Sequence, residues 1–100
     1  MENRVDQIGT AIIFEDEHIR VWLLDLPPHG ASEWHDHHNP YRYVVTRPGL
    51  VATEYEDGHR ELQDDLVSDT RFQSADARHR LVNLSNSTYQ NVVIEFLRVR

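Results

Sequence analysis

Residues 30–49 read Gly30-Ala-Ser-Glu-Trp-His35-Asp-His37-His38-Asn-Pro-Tyr-Arg42-Tyr-Val-Val-Thr-Arg-Pro-Gly49, and their pattern decides the fold. Three of the seven histidines fall within four positions, followed by an aromatic and β-branched run that ends in Pro-Gly. Side chains of an extended chain alternate between faces, so His35 and His37 point one way and His38 the other. Two imidazoles on one face, one pleat apart, are within reach of a common ion. A bulge before Asn39-Pro40 would put His38 in the place of His37. A third donor has to arrive from elsewhere, and His79 is the candidate.

Working outward, the period-2 pattern recurs along the chain and no helical stripe exceeds about two turns. Strands are expected over residues 8–14, 18–26, 32–38, 41–46, 50–55, 59–66, 71–74, 79–84 and 89–99. Pro27-Pro28 stops the second strand, since proline cannot continue a ladder. Asn39-Pro40, Pro48-Gly49 and Ser85-Asn86-Ser87-Thr88 read as turns, and Asp57-Gly58 is the clearest hairpin signal. Residues 64–69 are polar and read as loop, too short to supply enough oxygens for calcium. Many short strands at turn spacings of about 8–12 residues indicate an all-β sandwich or barrel.

Composition narrows the function classes. The 100 residues suit one domain, residues 1–100, with an apolar fraction of 39% sufficient for one core. No apolar run nears the roughly 20 residues that cross a bilayer. The first residues lack an apolar signal core, so a cytoplasmic location is expected. With no cysteine, disulfides, thiolate ligands and cysteine nucleophiles are excluded. All ten basic residues are arginine, which excludes a lysine Schiff base. A net charge of −7 disfavours nucleic acid and anionic membrane as partners.

His35-x-His37 on one strand and His79-x-x-x-Asn83 on a later one, with the Pro-Gly turn and the Asp-Gly hairpin between them, resemble the cupin superfamily. The resemblance spans nearly the whole chain, 8–99, and implies a cupin-type jelly-roll β-barrel, a double-stranded β-helix. The family's first motif runs glycine, five intervening residues, His-x-His, three or four residues, glutamate, six residues and a closing glycine. Gly30 lies one residue short of the first glycine, and Gly49 matches the last. Of the second motif only His79 and Asn83 match; Ser68, Ser74 and Asp76 stand where its glycines and proline would be.

Counted back from Gly49, the glutamate position is Arg42, and a guanidinium has no lone pair to give. The resemblance therefore implies a metal site reduced to His35, His37 and His79. Three neutral imidazoles leave a divalent ion its full charge and more open positions than a set with a carboxylate. Three-histidine centres occur in some oxygen-using cupins, among them thiol dioxygenases and a diketone-cleaving enzyme. Arg42, facing inward with Val44, would hold a substrate carboxylate with two parallel bonds. A one-residue shift would turn it outward and bring Tyr41 and Tyr43 in.

The expectation is a small metal-binding cupin acting on a small organic molecule with a carboxylate or keto group, by oxygenation or isomerisation. The divalent transition metal would be iron, nickel, copper or zinc. The alternatives are a non-catalytic small-molecule-binding barrel, with metal absent or structural, and an interaction protein with incidental histidines. His18, His29 and His59 lie at turns and read as solvated; Trp22 and Trp34 read as core or interface. Apolar residues on both faces of 18–26 and 89–99 point to a homodimer through an outer sheet face.

Overall fold

The computed structural model describes residues 7–74 and 76–97. Within them every regular element is a strand: β1 Ala11–Glu15, β2 Ile19–Leu26, β3 His35–His37, β4 Tyr41–Arg47, β5 Gly49–Tyr55, β6 Arg60–Asp65, β7 Thr70–Gln73, β8 Asp76–Asn83 and β9 Tyr89–Phe96. Each expected strand has its counterpart, with ends shifted by a few residues. The expected extension of the last strand over 98–99, and the reading of residues 1–6, lie outside the described residues.

The strands form two antiparallel sheets, ordered β1-β2-β9-β4-β7 and β3-β8-β5-β6. Apart from β1–β2 and β5–β6, neighbours are distant in sequence. β9 lies between β2 and β4, and β8 lies between β3 and β5. This Greek-key pattern is the jelly roll that the cupin resemblance implied, within the all-β class that the strand spacing indicated. No helix among the described residues is long and apolar enough to cross a membrane.

The alternation that makes these segments strands also makes the core. β2 turns Trp22, Leu24 and Leu26 inward, and β9 turns Tyr89, Asn91, Val93 and Glu95 inward. Leu24, Leu26, Val45, Val51 and Tyr89 close one end of the interior. Ile8, Trp22, Tyr41 and Val93 pack the other. Ile8 and Gly9 are buried but precede β1, because the chain here crosses directly over β2. A Cβ on Gly9 would lie 2.8 Å from that of Trp22 and 2.9 Å from the Leu23 carbonyl. Gly58 takes φ 96° in the β5–β6 hairpin, the left-handed conformation that makes Asp-Gly a turn signal.

Where the expected strand 59–66 and loop 64–69 overlap, Asp65 takes the strand: it ends β6 facing inward and is fully buried, which corrects the loop reading. Of the two readings of Trp34, core is corrected: it is 36% exposed and lies under the Arg80 guanidinium, 5.0 Å from the ring centroid. Trp22, by contrast, is buried and donates its indole N–H to Glu95.

Candidate metal centre

The histidine strand β3 pairs with β8 so that His35 lies directly opposite His79, and Tyr55 of β5 flanks His79 on the other side. Directly opposed residues of an antiparallel pair share a face. That register brings together imidazoles more than forty positions apart. Strand alternation keeps both His35 and His37 inward, while the pairing with β8 shifts register between them. His35, His37 and His79 are 3%, 4% and 5% exposed. Their rings make an edge-on and stacked trio with centroids 4.8–5.0 Å apart. One nitrogen from each lies within 4.8 Å of the others.

Hydrogen bonds set the state of these rings. His35 Nδ1 is 2.7 Å from the Glu33 carbonyl, and His79 Nδ1 is 2.6 Å from that of Ala77. A carbonyl only accepts, so each Nδ1 carries the hydrogen and each Nε2 keeps a lone pair. Metal-bound histidines are oriented in the same way, by a carbonyl or carboxylate behind the ring. His37 Nδ1 is buried with no hydrogen-bond partner. Burial lowers the His37 pKa to about 2, with a further contribution from His35 and His79. The ring is therefore neutral at physiological pH, the form that can ligate.

The donor set fits a divalent ion. Nitrogens about 2.1 Å from one tetrahedral metal are about 3.4 Å apart, so the widest pair here, at 4.8 Å, has to close by about 1.4 Å.

Arg42 is not on this wall. It is exposed on the outer face of β4, where it donates to the Thr70 hydroxyl at 3.2 Å and lies 5.6 Å from the centre of the Phe72 ring. The inward residues are Tyr41 and Tyr43, so the strand has the register in which odd positions point in. The expected inward Arg42 is corrected accordingly, and so is Val44 beside it. The signal that would have located Tyr41 is the three-residue spacing after the histidine pair, where counting back from Gly49 imposed four. Tyr41 stacks on His37 with ring centroids 3.7 Å apart. His38 is exposed, as its parity implied, and so are His18, His29 and His59.

The cluster opens into a cavity of about 70 Å³ between the two sheets, room for several waters or a small organic molecule. Apolar walls come from Ile8, Leu24, Leu81 and Val93. Farther in are Tyr43, Gln63, Asp65, Tyr89 and Asn91, none of them expected as site residues. No arginine lines the cavity among the described residues. Asn83, the other residue of the second motif, is fully buried outside the cavity and bonds to loop backbone.

A two-sheet antiparallel barrel with three inward histidines at one end defines a double-stranded β-helix of the cupin type. Solved structures agree. A cupin domain from Bordetella pertussis Tohama I superposes with a TM-score of 0.81 at 22% identity, over 98% of this chain and 99% of that one. An RmlC-like cupin family protein with a double-stranded β-helix fold, from Methanocaldococcus jannaschii, gives 0.68 at 12% identity over 97% and 93%. A protein described as a sugar phosphate isomerase from a cupin superfamily, from Silicibacter pomeroyi DSS-3, gives 0.59 at 19% identity over 82% and 52%. The chain has the cupin fold. No family model matches the sequence, and no curated protein does.

Proposed function

We propose that this protein holds one divalent transition metal through His35, His37 and His79 and acts on a small organic molecule in the adjoining cavity, by oxygenation or isomerisation. The observation that carries the reading is the trio itself: three buried imidazoles with one nitrogen of each within 4.8 Å of the others, two of the rings oriented by backbone carbonyls at Nδ1. Arranging three such rings away from water, with one hydrogen-bonding nitrogen unpartnered, costs stability that a bound ion would return.

The metal, when bound, supplies Lewis acidity at positions that the three imidazoles leave open. Imidazole donors suit iron, nickel, copper and zinc. The chain's own residues do the rest. Tyr41 backs His37 and limits its rotation, while the apolar walls exclude bulk water and strengthen polar contacts inside. With Arg42 outside, no cation on the cavity wall favours a carboxylate substrate, and a keto or hydroxyl compound fits better. A structural neighbour described as a sugar phosphate isomerase lends weight to isomerisation.

Reconstitution with iron, nickel, copper and zinc, followed by elemental analysis, tests the reading. One equivalent of metal per chain is expected, with a raised melting temperature and loss of both effects in His35→Ala and His79→Ala. No uptake of any of the four at pH 7.5 would overturn it and leave a barrel that binds a small molecule without metal.

A further inference from the structure

The inner end of the cavity carries a hydrogen-bond chain that neither the metal cluster nor the packing uses. Tyr89, fully buried, donates its hydroxyl hydrogen to Asp65 Oδ2 at 2.7 Å. Its oxygen then accepts from Asn91 Nδ2 at 3.0 Å. Gln63 Nε2 donates to the other oxygen of Asp65 and, at 2.6 Å, to the Tyr43 hydroxyl. A tyrosine has one hydrogen to give, and the carboxylate takes it, so the Asn91 amide must present its nitrogen to Tyr89. This fixes the amide's orientation and leaves Asn91 Oδ1 over. That oxygen is buried on the cavity wall, in a side chain 3% exposed, with no hydrogen-bond partner among the described residues.

A buried acceptor without a donor is destabilising and is seldom kept without a use. Everything around it calls for the same partner. Asp65, two hydrogen bonds away through Tyr89, adds negative charge, so an anionic group is disfavoured beside this oxygen. A group with a hydrogen to donate is wanted.

We propose that Asn91 Oδ1 receives a hydroxyl or amine hydrogen of the molecule whose other end faces His35, His37 and His79, so that the ligand is a small compound with donors at both ends. The ligand's metal-facing end rests on the function proposed above; the Asn91 contact does not. The sheet register sets the span. Asn83 is four positions from His79 on β8, roughly 13 Å at about 3.3 Å per residue. It pairs with Val51, which pairs with Gln63. The Asn91 end therefore lies about two layers of side chains below the histidines.

Isomeric probes test this. ω-Hydroxy hydroxamic acids of three to seven carbons would be titrated into the nickel-loaded protein by calorimetry, each against the methoxy isomer of equal atom count. At one chain length the hydroxy isomer should bind about tenfold more tightly. In Asn91→Leu, close in volume, the two should bind alike. Equal binding of both isomers at every length in the wild-type protein would overturn the Asn91 contact and leave the metal reading intact. If no hydroxamate binds because no metal is held, the metal reading falls, and the contact is decided on metal-free protein. There butan-1-ol should shift the Asn91 side-chain amide resonance saturably and 1-methoxypropane should not. No shift with either would overturn the contact as well.

Discussion

The ring of His37 lies face to face with that of Tyr41, the centroids 3.7 Å apart and the planes 19° from parallel. The two residues flank the Asn39-Pro40 turn, so the stack ties the end of the histidine strand to the start of β4. It also fixes the register of β4: with Tyr41 against His37, Arg42 has to point away. The stack thus decides both the orientation of a metal-ligand candidate and the absence of a cation from the cavity.

Opposite outcomes are expected for the two neighbouring positions. Tyr41→Glu places a carboxylate beside His37 and should tighten metal binding at least tenfold, measured by competition with a chelator, because a fourth donor also neutralises charge. It should also destabilise the metal-free protein by about 2–4 kcal/mol, having lost a buried ring. Arg42→Glu should leave metal affinity unchanged and cost under about 1 kcal/mol, since its bond to Thr70 and contact with Phe72 are exposed. Tighter binding in Arg42→Glu would show that β4 has the other register.

Acid should destabilise the metal-free protein through His37. Its pKa is lowered in the fold from 6.5 to about 2, mainly by burial. Between those values the unfolded chain binds a proton at this ring that the native state does not. Stability from this group is therefore complete above about pH 6.5 and declines as pH falls below it, by up to about 1.4 kcal/mol per pH unit. Urea unfolding at pH 7.5, 6 and 5 should show the decline, and His37→Gln should flatten it. Identical slopes in the two proteins would contradict the assignment.

Strand positions and the histidine trio were legible in the sequence because both follow from a period of two. Alternation alone puts His35 and His37 on one face, and a closed sheet needs little more to bring His79 to them. The orientation of Arg42 was not legible, since a strand with polar and apolar residues at both parities reads equally well in two registers. Asp65 was missed for a related reason. A buried carboxylate looks like any loop aspartate until the tyrosine that bonds it, Tyr89, twenty-four positions later, is seen to face it.

Asn83 is expected to be a stability residue. Its amide donates to the carbonyls of Leu26, Pro27 and Ser87, and its oxygen accepts from the backbone N–H and hydroxyl of Ser85. Gly49 sits against it: a Cβ there would lie 3.1 Å from Ser85 Oγ and 3.6 Å from Asn83 Oδ1. Asn83→Ala strands several buried backbone groups and should cost about 3 kcal/mol, read as a fall of roughly 10 °C or more in melting temperature. Metal stoichiometry should stay at the wild-type value below that temperature.

Self-association is expected from the outer face of the five-stranded sheet. Val21 and Leu23 of β2 and Val92 and Ile94 of β9 are half-buried there, and Phe14 and Phe72 are 51% exposed in the same rows. We propose that two copies pair through this face, which accounts for apolar residues at both parities of β2 and β9. Sedimentation at high micromolar concentration should give a dimer, and Ile94→Asp a monomer. A wild-type monomer would refute the pairing.

The turn that follows the histidine strand is tied to β9 through Asn39 and Glu95. Glu95 is 4% exposed, and its carboxylate accepts from Trp22 Nε1 at 3.1 Å, an Arg20 guanidinium nitrogen at 3.3 Å and Asn39 Nδ2 at 2.8 Å. A buried carboxylate with one cation and two neutral donors is satisfied; removing it leaves all three donors without their acceptor. Glu95→Ala should therefore cost about 3–5 kcal/mol in urea unfolding. Glu95→Gln is the sharper variant, because its amide would turn a donor toward either Asn39 or the Trp22–Arg20 pair. Releasing Asn39 frees the chain two residues after His37, so Glu95→Gln should also weaken metal binding about tenfold, as loss of a supporting contact behind a ligand does. Unchanged metal affinity alongside reduced stability would show that the turn holds its shape without Glu95.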